Sequence, residues 1–448
     1  MAAKTLAMTE SAETARAHVA AFDGLAAALP GAGLDWLGAL RSEALARFAA
    51  GGIPTRRLED WKFTGLDPLV RSAFAPGAEA ASGTADVPRG TLDALAPGEF
   101  AARLVFVDGA YRPDLSEAAE MPGVTILPLS QALSAHGQAI APILSTGDQG
   151  AQALIALNAA FMAGGAYVAL ADGTEIERPV ALLFLSAGGD GAARHLRNVV
   201  ALGPGARARL VEIHAGLDGS GGGVFDNAVT DIALAPDSRL DHLRIQAEGP
   251  ETLHHSHAAV RIGRGAAYAS FALSTGADIS RQETAATFAA PGGRCRLLGA
   301  YLGRRRQHMD HTTRVHHAHP HCTTEEVFKG VLDDRAHGVF QGLIRVAPHA
   351  VKTDAHQKNQ NLLLSDRAVA DAKPELEILA DDVRCSHGAT VGDLDADELF
   401  YMAARGIAPA EARRLLVAGF IDDLVARMED EGLARLLRTH TNRWLAEE

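Results

Sequence analysis

The sequence predicts a mainly β protein in which a right-handed parallel β-helix, or solenoid, is flanked by N-terminal and C-terminal α-helical domains. Between residues 165 and 392 the apolar spacing typical of helices disappears, and short apolar runs alternate with turns. The turns recur at a nearly constant step, which is typical of stacked repeats. Helical spacing returns on both sides of this region.

Residues 1–75 are predicted to form the N-terminal helical domain. Leu37, Leu45 and Phe48 fall on one helix face, and the glycines that begin at Gly51 end that helix. Residues 76–164 follow as a mixed lead-in segment that contains short strands.

Residues 165–392 are predicted to form the β-helix core. Turns separate pairs of apolar runs, and the second residues of the first four turns lie 32, 28 and 27 positions apart, at 203–206, 235–238, 263–266 and 290–293. A β-sandwich would contain similar strands, but only a solenoid requires a constant step, because each rung stacks on the last. No helix of a dozen residues separates the strands, which argues against a βαβ fold.

Residues 393–448 are predicted to form the C-terminal helical domain. Asp393 and Asp395 are candidate N-caps, and a basic residue followed by glycine, at Arg405 and Gly406, ends the first helix. Pro409 begins a second helix, and a third follows. Such an end-piece either caps the stack or docks a partner.

Composition excludes several classes of protein. The formal net charge of −13 argues against nucleic-acid binding, which requires a basic surface. Apolar stretches are too short to span a bilayer and charges interrupt the N-terminal stretch, so the sequence predicts a cytoplasmic protein with no membrane partner. The three cysteines contain no C-x-x-C pair, which disfavours a disulfide framework and a closed zinc site.

The segment 384–392 carries the main candidate site. Cys385 and His387 are two positions apart, so on a strand they share one face. A thiolate and an imidazole are ligands suited to iron or an iron–sulfur cluster. The alternative is a buried thiol beside a hydrogen-bonded imidazole.

A second candidate is a run of six histidines within fourteen residues, which are His308, His311, His316, His317, His319 and His321. Three of them alternate and would share a face on an extended strand, although Pro320 interrupts the alternation. The run is either a dedicated metal site or an exposed loop that binds metal adventitiously.

Several catalytic motifs are absent from the sequence. It contains no phosphate-binding G-x-x-x-x-G-K-[ST] loop, so the chain is not expected to hydrolyse ATP. It also lacks a dinucleotide-binding strand–G-x-G-x-x-G–helix unit, a G-x-S-x-G elbow and an H-E-x-x-H helix. The residues do not indicate an enzyme.

The C-terminal third resembles the SufB/SufD family, the scaffold subunits of the SUF iron–sulfur cluster assembly machinery. The residues that carry the resemblance are 327–332, 339–342, 361–365, 373–378, 381–392 and 399–407, with support from 54–62 at the N-terminus. SufB proteins typically carry an N-terminal cysteine cluster. The first cysteine here is Cys295, so the resemblance favours the SufD branch.

The resemblance implies a complex with SufB and the ATPase SufC, in which this chain is a noncatalytic scaffold. The C-terminal helices would dock SufC, through residues that include Phe400, Tyr401, Arg405 and Gly406. A transient iron or iron–sulfur cluster would be shared with SufB, and His387 would help a SufB cysteine accept it at the interface. Cys385 matches a family cysteine whose role is less defined, and the histidine run matches the family pattern only in part, around His311 and His317. The resemblance also allows a reduced flavin in the complex, nothing tightly bound to the isolated chain, and a homodimer when it is isolated.

Two other hypotheses stay open on the sequence. One is a stand-alone metal-dependent β-solenoid enzyme that acts on polysaccharides. It is disfavoured because aromatics, which form sugar platforms, are only 5% of residues. The other is a docking adaptor that uses its C-terminal helices and never binds metal.

Overall fold

The structure is a computed structural model that describes residues 2–71, 74–76, 85–147, 152–189, 191–217 and 222–446. Side chains are described from residue 13 onward, apart from those of 75–76. The helices are α1 (Ala2–Leu25), α2 (Asp35–Gly51), α3 (Asp67–Arg71), α4 (Arg89–Leu95), α5 (Leu129–Ile140), α6 (Ala153–Phe161), α7 (Ala396–Ala404), α8 (Pro409–Val425) and α9 (Glu431–Ala446), with short 3₁₀ turns at Ala26–Ala28 and Glu59–Trp61.

The strands form two sheets. Sheet A runs in the order β20-β18-β16-β14-β12-β10-β8-β6-β5, with β1 beside β8, and its strands are β1 (Ala75–Pro76), β5 (Val124–Pro128), β6 (Ala166–Leu170), β8 (Ala192–Leu202), β10 (Val224–Leu234), β12 (Thr252–Ile262), β14 (Ile279–Phe288), β16 (His308–His317), β18 (His337–Val346) and β20 (Val369–Ile378). Sheet B runs in the order β21-β19-β17-β15-β13-β11-β9-β7-β2-β3, with β4 beside β2, and its strands are β2 (Ala102–Val107), β3 (Ala110–Tyr111), β4 (Glu117–Ala118), β7 (Val180–Ser186), β9 (Arg207–Gly216), β11 (Arg239–Ala247), β13 (Ala267–Ser274), β15 (Arg294–Gly303), β17 (Thr323–Leu332), β19 (Asp354–Leu363) and β21 (Arg384–Gly392).

From β6 onward successive strands alternate between the two sheets, so one strand from each sheet makes one turn of a parallel β-solenoid of about seven turns. Arg207 pairs with Arg239, 32 positions later, Arg239 with Ala267 after 28, and Ala267 with Arg294 after 27. These steps equal the turn spacings in the sequence, and the predicted solenoid with helices at both ends of the chain is confirmed. Strand β2, upstream of the predicted start of the core at residue 165, extends sheet B beyond β7.

The two ends of the stack differ. At the first end, β3 and β4 pair antiparallel with β2, and β5 pairs antiparallel with β6. At the last end, β20 and β21 are edge strands that pair, within the described residues, only with β18 and β19. The side chains of β21 are almost all exposed, so the solenoid opens to solvent at its last rung.

Apolar side chains from both sheets fill the interior, among them Leu182, Val200, Leu240 and Phe288. The outer face of sheet A packs against α1, α2 and α6. The outer face of sheet B packs against α8 and α9. The predicted helical segments therefore cover sheet faces as well as flanking the solenoid in sequence.

The interior is apolar along one edge and polar along the other. The polar edge lies where the strands of sheet B end and those of sheet A begin, and it holds Arg194, His214, Asp226, Gln246 and His254. No helix in the described part of the chain combines the length and apolarity needed to cross a membrane.

Candidate functional site

The main candidate site lies on β21, the edge strand of the last rung. Its register pairs Cys385 with Ala355 and His387 with Gln357. Ala355 and Gln357 are buried and alternate with exposed neighbours, so Cys385 and His387 lie on the side of the sheet that faces the interior. Because no further rung covers them, the imidazole of His387 is exposed, as the sequence alone could not show.

The Cys385 thiol is half-buried and packs against the interior core. Burial raises its pKa, and a hydrogen bond from the backbone of Ala355 offsets this only in part. A protonated thiol is a poor metal ligand, because the thiolate is the species that binds. All three cysteines are free, and Cys295 and Cys322 are buried.

A polar column leads from His387 into the interior. In the ladder, Glu326 pairs with Gln357, which pairs with His387. The Gln357 amide donates to Glu326 Oε2 at 2.6 Å, and Thr313 Oγ1 donates to the same oxygen at 3.0 Å. Burial raises the pKa of Glu326 to about 7, against these two hydrogen bonds, which lower it.

The structure does not bring His311 and His317 to this site. His311 is buried against Tyr301, with Nε2 2.9 Å from Ser274 Oγ, and burial lowers its pKa to about 3. His317 is buried against Phe288, with Nε2 2.8 Å from Thr324 Oγ1, and burial lowers its pKa to about 4. Both imidazoles are packing groups of the interior.

The other histidines of the run lie apart from one another and from the last rung. The His308 ring lies 4.7 Å from the His337 ring, and its Nε2 is 2.8 Å from Thr64 Oγ1. His316 and His319 are half-buried, and exposed His321 lies in a turn with φ of 60°. Across the described residues, a single group of three side chains brings metal-binding atoms together, and it contains none of the predicted histidines.

That group is His214, Glu248 and His254, whose ligand atoms all lie within 4.8 Å of one another. It sits on the polar inner edge, and the sequence analysis missed it. Glu248 and His254 lie close to one connection, between β11 and β12, but His214 comes from β9, one turn earlier, so no local motif contains all three. The repeat could have revealed the cluster. Asp226 and His254 occupy equivalent positions 28 residues apart, so charged residues recur at a position of the repeat where apolar residues were expected.

The predicted docking residues lie on α7 and just beyond it. Asp395 caps the helix by accepting hydrogen bonds from the backbone N–H groups of Asp397 and Glu398. Phe400 is 76% exposed and Tyr401 is 59% exposed. The Arg405 guanidinium lies 4.9 Å from the Tyr401 ring, and Gly406 follows with φ of 80°. This apolar surface has no partner within the described residues.

The geometry of the last rung limits its chemistry. It offers one exposed imidazole and one half-buried thiol on one face, which is fewer than the four ligands that an iron–sulfur cluster usually needs. Any iron or cluster held there needs ligands from elsewhere. The fold and the site together define a class of protein: a β-solenoid of two sheets whose exposed last rung carries a histidine but too few ligands to hold a cluster alone.

Family comparisons agree with this architecture. The family model described as the SufBD core domain of SUF system FeS cluster assembly matches residues 184–420, and the SufBD N-terminal region matches residues 14–182. The chain belongs to the SufBD family and has a role in iron–sulfur cluster assembly by the SUF system.

Individual relatives extend along most of the chain. It is 31% identical to the iron–sulfur cluster assembly protein SufD of Escherichia coli, over 85% of this chain and 87% of the relative. It is 29% identical to an iron–sulfur cluster assembly SufBD family protein of Synechocystis, over 90% of this chain and 88% of that protein. The chloroplastic protein ABCI7 of Arabidopsis thaliana is 29% identical over 60% of this chain and 58% of its own.

Proposed function

We propose that this chain is a noncatalytic, SufD-type scaffold subunit that pairs with a SufB-type subunit and docks a SufC-type ATPase. In this complex His387 assists iron acquisition or cluster formation at the interface with the SufB-type subunit. The observation that carries the proposal is the position of His387, which is exposed on the inward face of the last rung, on an edge strand.

The two edge strands differ in their suitability for pairing. Strand β20 carries Pro374, which has no N–H to donate, and the charged residues Asp371, Lys373, Glu375 and Glu377, all of which discourage strand addition. Strand β21 contains no proline, and Arg384 is its only charged residue. We therefore infer that the SufB-type subunit pairs along β21, which brings its ligands next to His387.

The chemistry of His387 suits a temporary ligand. A neutral imidazole binds iron through one ring nitrogen, and it releases the metal when protonated or outcompeted. Iron and the nascent cluster are the cargo of this site, and the SufB-type subunit supplies the remaining ligands. The raised pKa of Cys385 makes its thiol a weaker candidate ligand than the imidazole.

The proposed contact with the ATPase is the surface of α7. Phe400 and Tyr401 project their aromatic rings into solvent, and exposed aromatic residues of this size are typical anchors of protein interfaces. The helices α8 and α9 behind it are fixed to sheet B. There the Lys329 ammonium, on β17, donates to the Phe420 carbonyl and the Asp423 carboxylate at 2.7 Å each.

The test is reconstitution of the three-subunit complex under anaerobic conditions with iron, sulfide and ATP. We expect His387→Ala to leave the complex intact on size-exclusion chromatography but to lower the cluster yield, measured by absorbance and iron analysis. Ser386→Ala is the matched control, since Ser386 is the adjacent residue on the opposite face of β21 and should not change the yield. A complex that contains the Phe400→Asp variant should instead lack the ATPase.

The outcomes separate the hypotheses. A full cluster yield with His387→Ala, in a complex that still contains all subunits, would overturn the role of His387 and favour the docking adaptor. Retention of the ATPase by the Phe400→Asp variant would contradict the proposed docking surface.

A further inference from the structure

We propose that the interior of the solenoid contains a second site, formed by His214, Glu248 and His254, that binds one divalent first-row transition-metal ion. This inference goes beyond the proposed function, which concerns the exposed last rung. It concerns three side chains that lie between the two sheets, several turns before β21.

The fold brings the three residues together through its register. His214 lies on β9 opposite Gln246 of β11, and Glu248 follows one residue after the end of β11. His254 lies on β12 opposite Asp226 of β10. The turn from sheet B to sheet A brings the His214 and His254 rings to a centroid distance of 5.0 Å.

His214 is the strongest single observation. Its side chain is 4% exposed, and Nδ1 has no hydrogen-bond partner among the described residues. A buried polar atom without a partner is costly, and nearly all such atoms in folded proteins are satisfied. A metal ion bound by this nitrogen, with Glu248 and His254 as the other ligands, would satisfy it.

The carboxylate of Glu248 is already oriented for this role. Gln246 Nε2 donates to Glu248 Oε2 at 2.5 Å, which leaves Oε1 directed at His254 Nδ1, 2.7 Å away. A hydrogen bond from a neighbouring side chain that orients a ligand is typical of metal sites. The proton shared by His254 and Glu248 occupies the place that the ion would take, and metal binding would release it.

The surrounding charge also favours a divalent cation. Four buried carboxylates lie in this part of the interior, those of Asp108, Glu212, Asp226 and Glu248, and two buried guanidinium groups, those of Arg194 and Arg244. When all six are ionised, the carboxylates exceed the guanidinium groups by two charges, and a proton that His254 holds beside Glu248 offsets at most one of them. A buried excess of two negative charges is unfavourable unless a cation balances it.

The ligand set indicates the type of metal. Two imidazoles and one carboxylate are typical of iron(II), cobalt(II) and zinc(II), and they leave coordination positions open. Magnesium and calcium prefer oxygen ligands, which two imidazoles cannot supply. The site therefore fits a single transition-metal ion and not an alkaline-earth ion.

The test uses the isolated full chain, produced in minimal medium with cobalt(II) so that the ion is present while the chain folds. We expect one tightly held equivalent of cobalt after gel filtration with a chelator, with ligand-field bands in the visible spectrum. Loaded protein should also unfold at a higher temperature than the apoprotein, because a ligand that binds only the native state stabilises it.

Variants identify the ligands. Glu248→Gln and His254→Gln should lose the bands and weaken cobalt binding by at least the factor of about 10–100 that loss of a metal-site partner costs. His257→Gln is the matched control, because His257 is equally buried on β12 but bonds to Glu283, outside the triad. His387→Ala should also keep the cobalt, which separates this site from the proposed last-rung site.

Two results would overturn the proposal. One is wild-type protein that retains no cobalt and shows no thermal shift. The other is cobalt that binds equally to the Glu248→Gln variant, which would assign it to surface histidines.

Discussion

At the residue scale, the histidines of this chain differ mainly in their contact with water. His311 and His317 alternate with their neighbours just as His387 does, yet they face the packed interior, while His387 faces solvent at the open end. A strand pattern specifies the face but not the number of rungs that cover it. The sequence could therefore predict that Cys385 and His387 share a face. The burial of His311 and His317 and the exposure of His387 depend on which turns of the solenoid cover them, and only the structure shows this.

Glu326 gives a prediction at this scale. Its pKa of about 7 in the native state lies above the ordinary value of 4.5, so the native state holds this proton more tightly than the unfolded chain does. The stability that the protonated carboxyl contributes is therefore lost as the pH rises from about 4.5 to about 7, and it stays lost above that range. Glu326→Gln should therefore raise the free energy of unfolding by up to about 3 kcal/mol at pH 8.5, and by no more than about 1 kcal/mol at pH 5. Chemical denaturation at both values measures the difference.

The geometry of Glu326 makes this substitution nearly isosteric. Gln357 and Thr313 both donate to Oε2, while Oε1 has no partner in the described residues, so an amide can keep the two acceptor contacts. Glu325→Gln is the control, because Glu325 is the exposed neighbour and pairs with Arg427 at the surface. An equal effect of the two substitutions, or a gain that does not depend on pH, would contradict the assignment.

At the scale of the elements, the sequence predicted the repeat because the turns are local signals. The register steps of 32, 28 and 27 residues were readable from glycine- and proline-rich turns. The cluster of His214, Glu248 and His254 could not be predicted from the sequence, because these residues meet only after two turns of the solenoid are stacked. Nor could the sequence place the C-terminal helices on the outer face of sheet B, since an apolar helix face does not specify its partner.

Neighbouring rungs of the solenoid approach each other closely at Gly330, where there is no room for a side chain. This close approach gives a second prediction. A Cβ at Gly330 would lie 2.2 Å from Tyr301 Cε2 and 2.3 Å from Asn361 Oδ1. Gly330→Ala should therefore destabilise the protein by about 1–3 kcal/mol in chemical denaturation. Gly388→Ala, on exposed β21, has no atom within 4 Å of its Cβ and should change stability little. Similar stability of both variants would show that neighbouring rungs separate easily.

At the scale of the whole molecule, buried imidazoles predict sensitivity to acid. Burial lowers the pKa to about 3 or 4 for His195, His311, His317 and His440. The unfolded chain binds protons at these groups near pH 6.5, so stability is lost as the pH falls below that value. Each group contributes about 1.4 kcal/mol of loss at pH 5.5, and together they approach the total stability of a typical domain. The raised pKa of Glu326 acts in the opposite direction.

Thermal unfolding followed by circular dichroism between pH 7.5 and 5 tests this prediction. The midpoint should fall steeply below pH 6.5, and His440→Gln should make the fall shallower, because an amide can still donate to the Leu95 carbonyl but does not titrate. His349→Gln, at an exposed position, serves as the control and should leave the profile unchanged. A midpoint that stays constant across this range would contradict the prediction.

The unequal ends of the stack have a further consequence for assembly. At the first end the outermost strands, β3 and β5, are short and antiparallel, which leaves little edge for a partner strand, while the last end leaves β20 and β21 without a neighbour among the described strands. A solenoid with two open ends could polymerise head to tail, since each added copy would offer a fresh edge. A solenoid with one open end would accept one partner through that end, and a partner with a single open end of its own would terminate growth. Pairing along β20 and β21 would therefore give pairs of solenoids and not fibres.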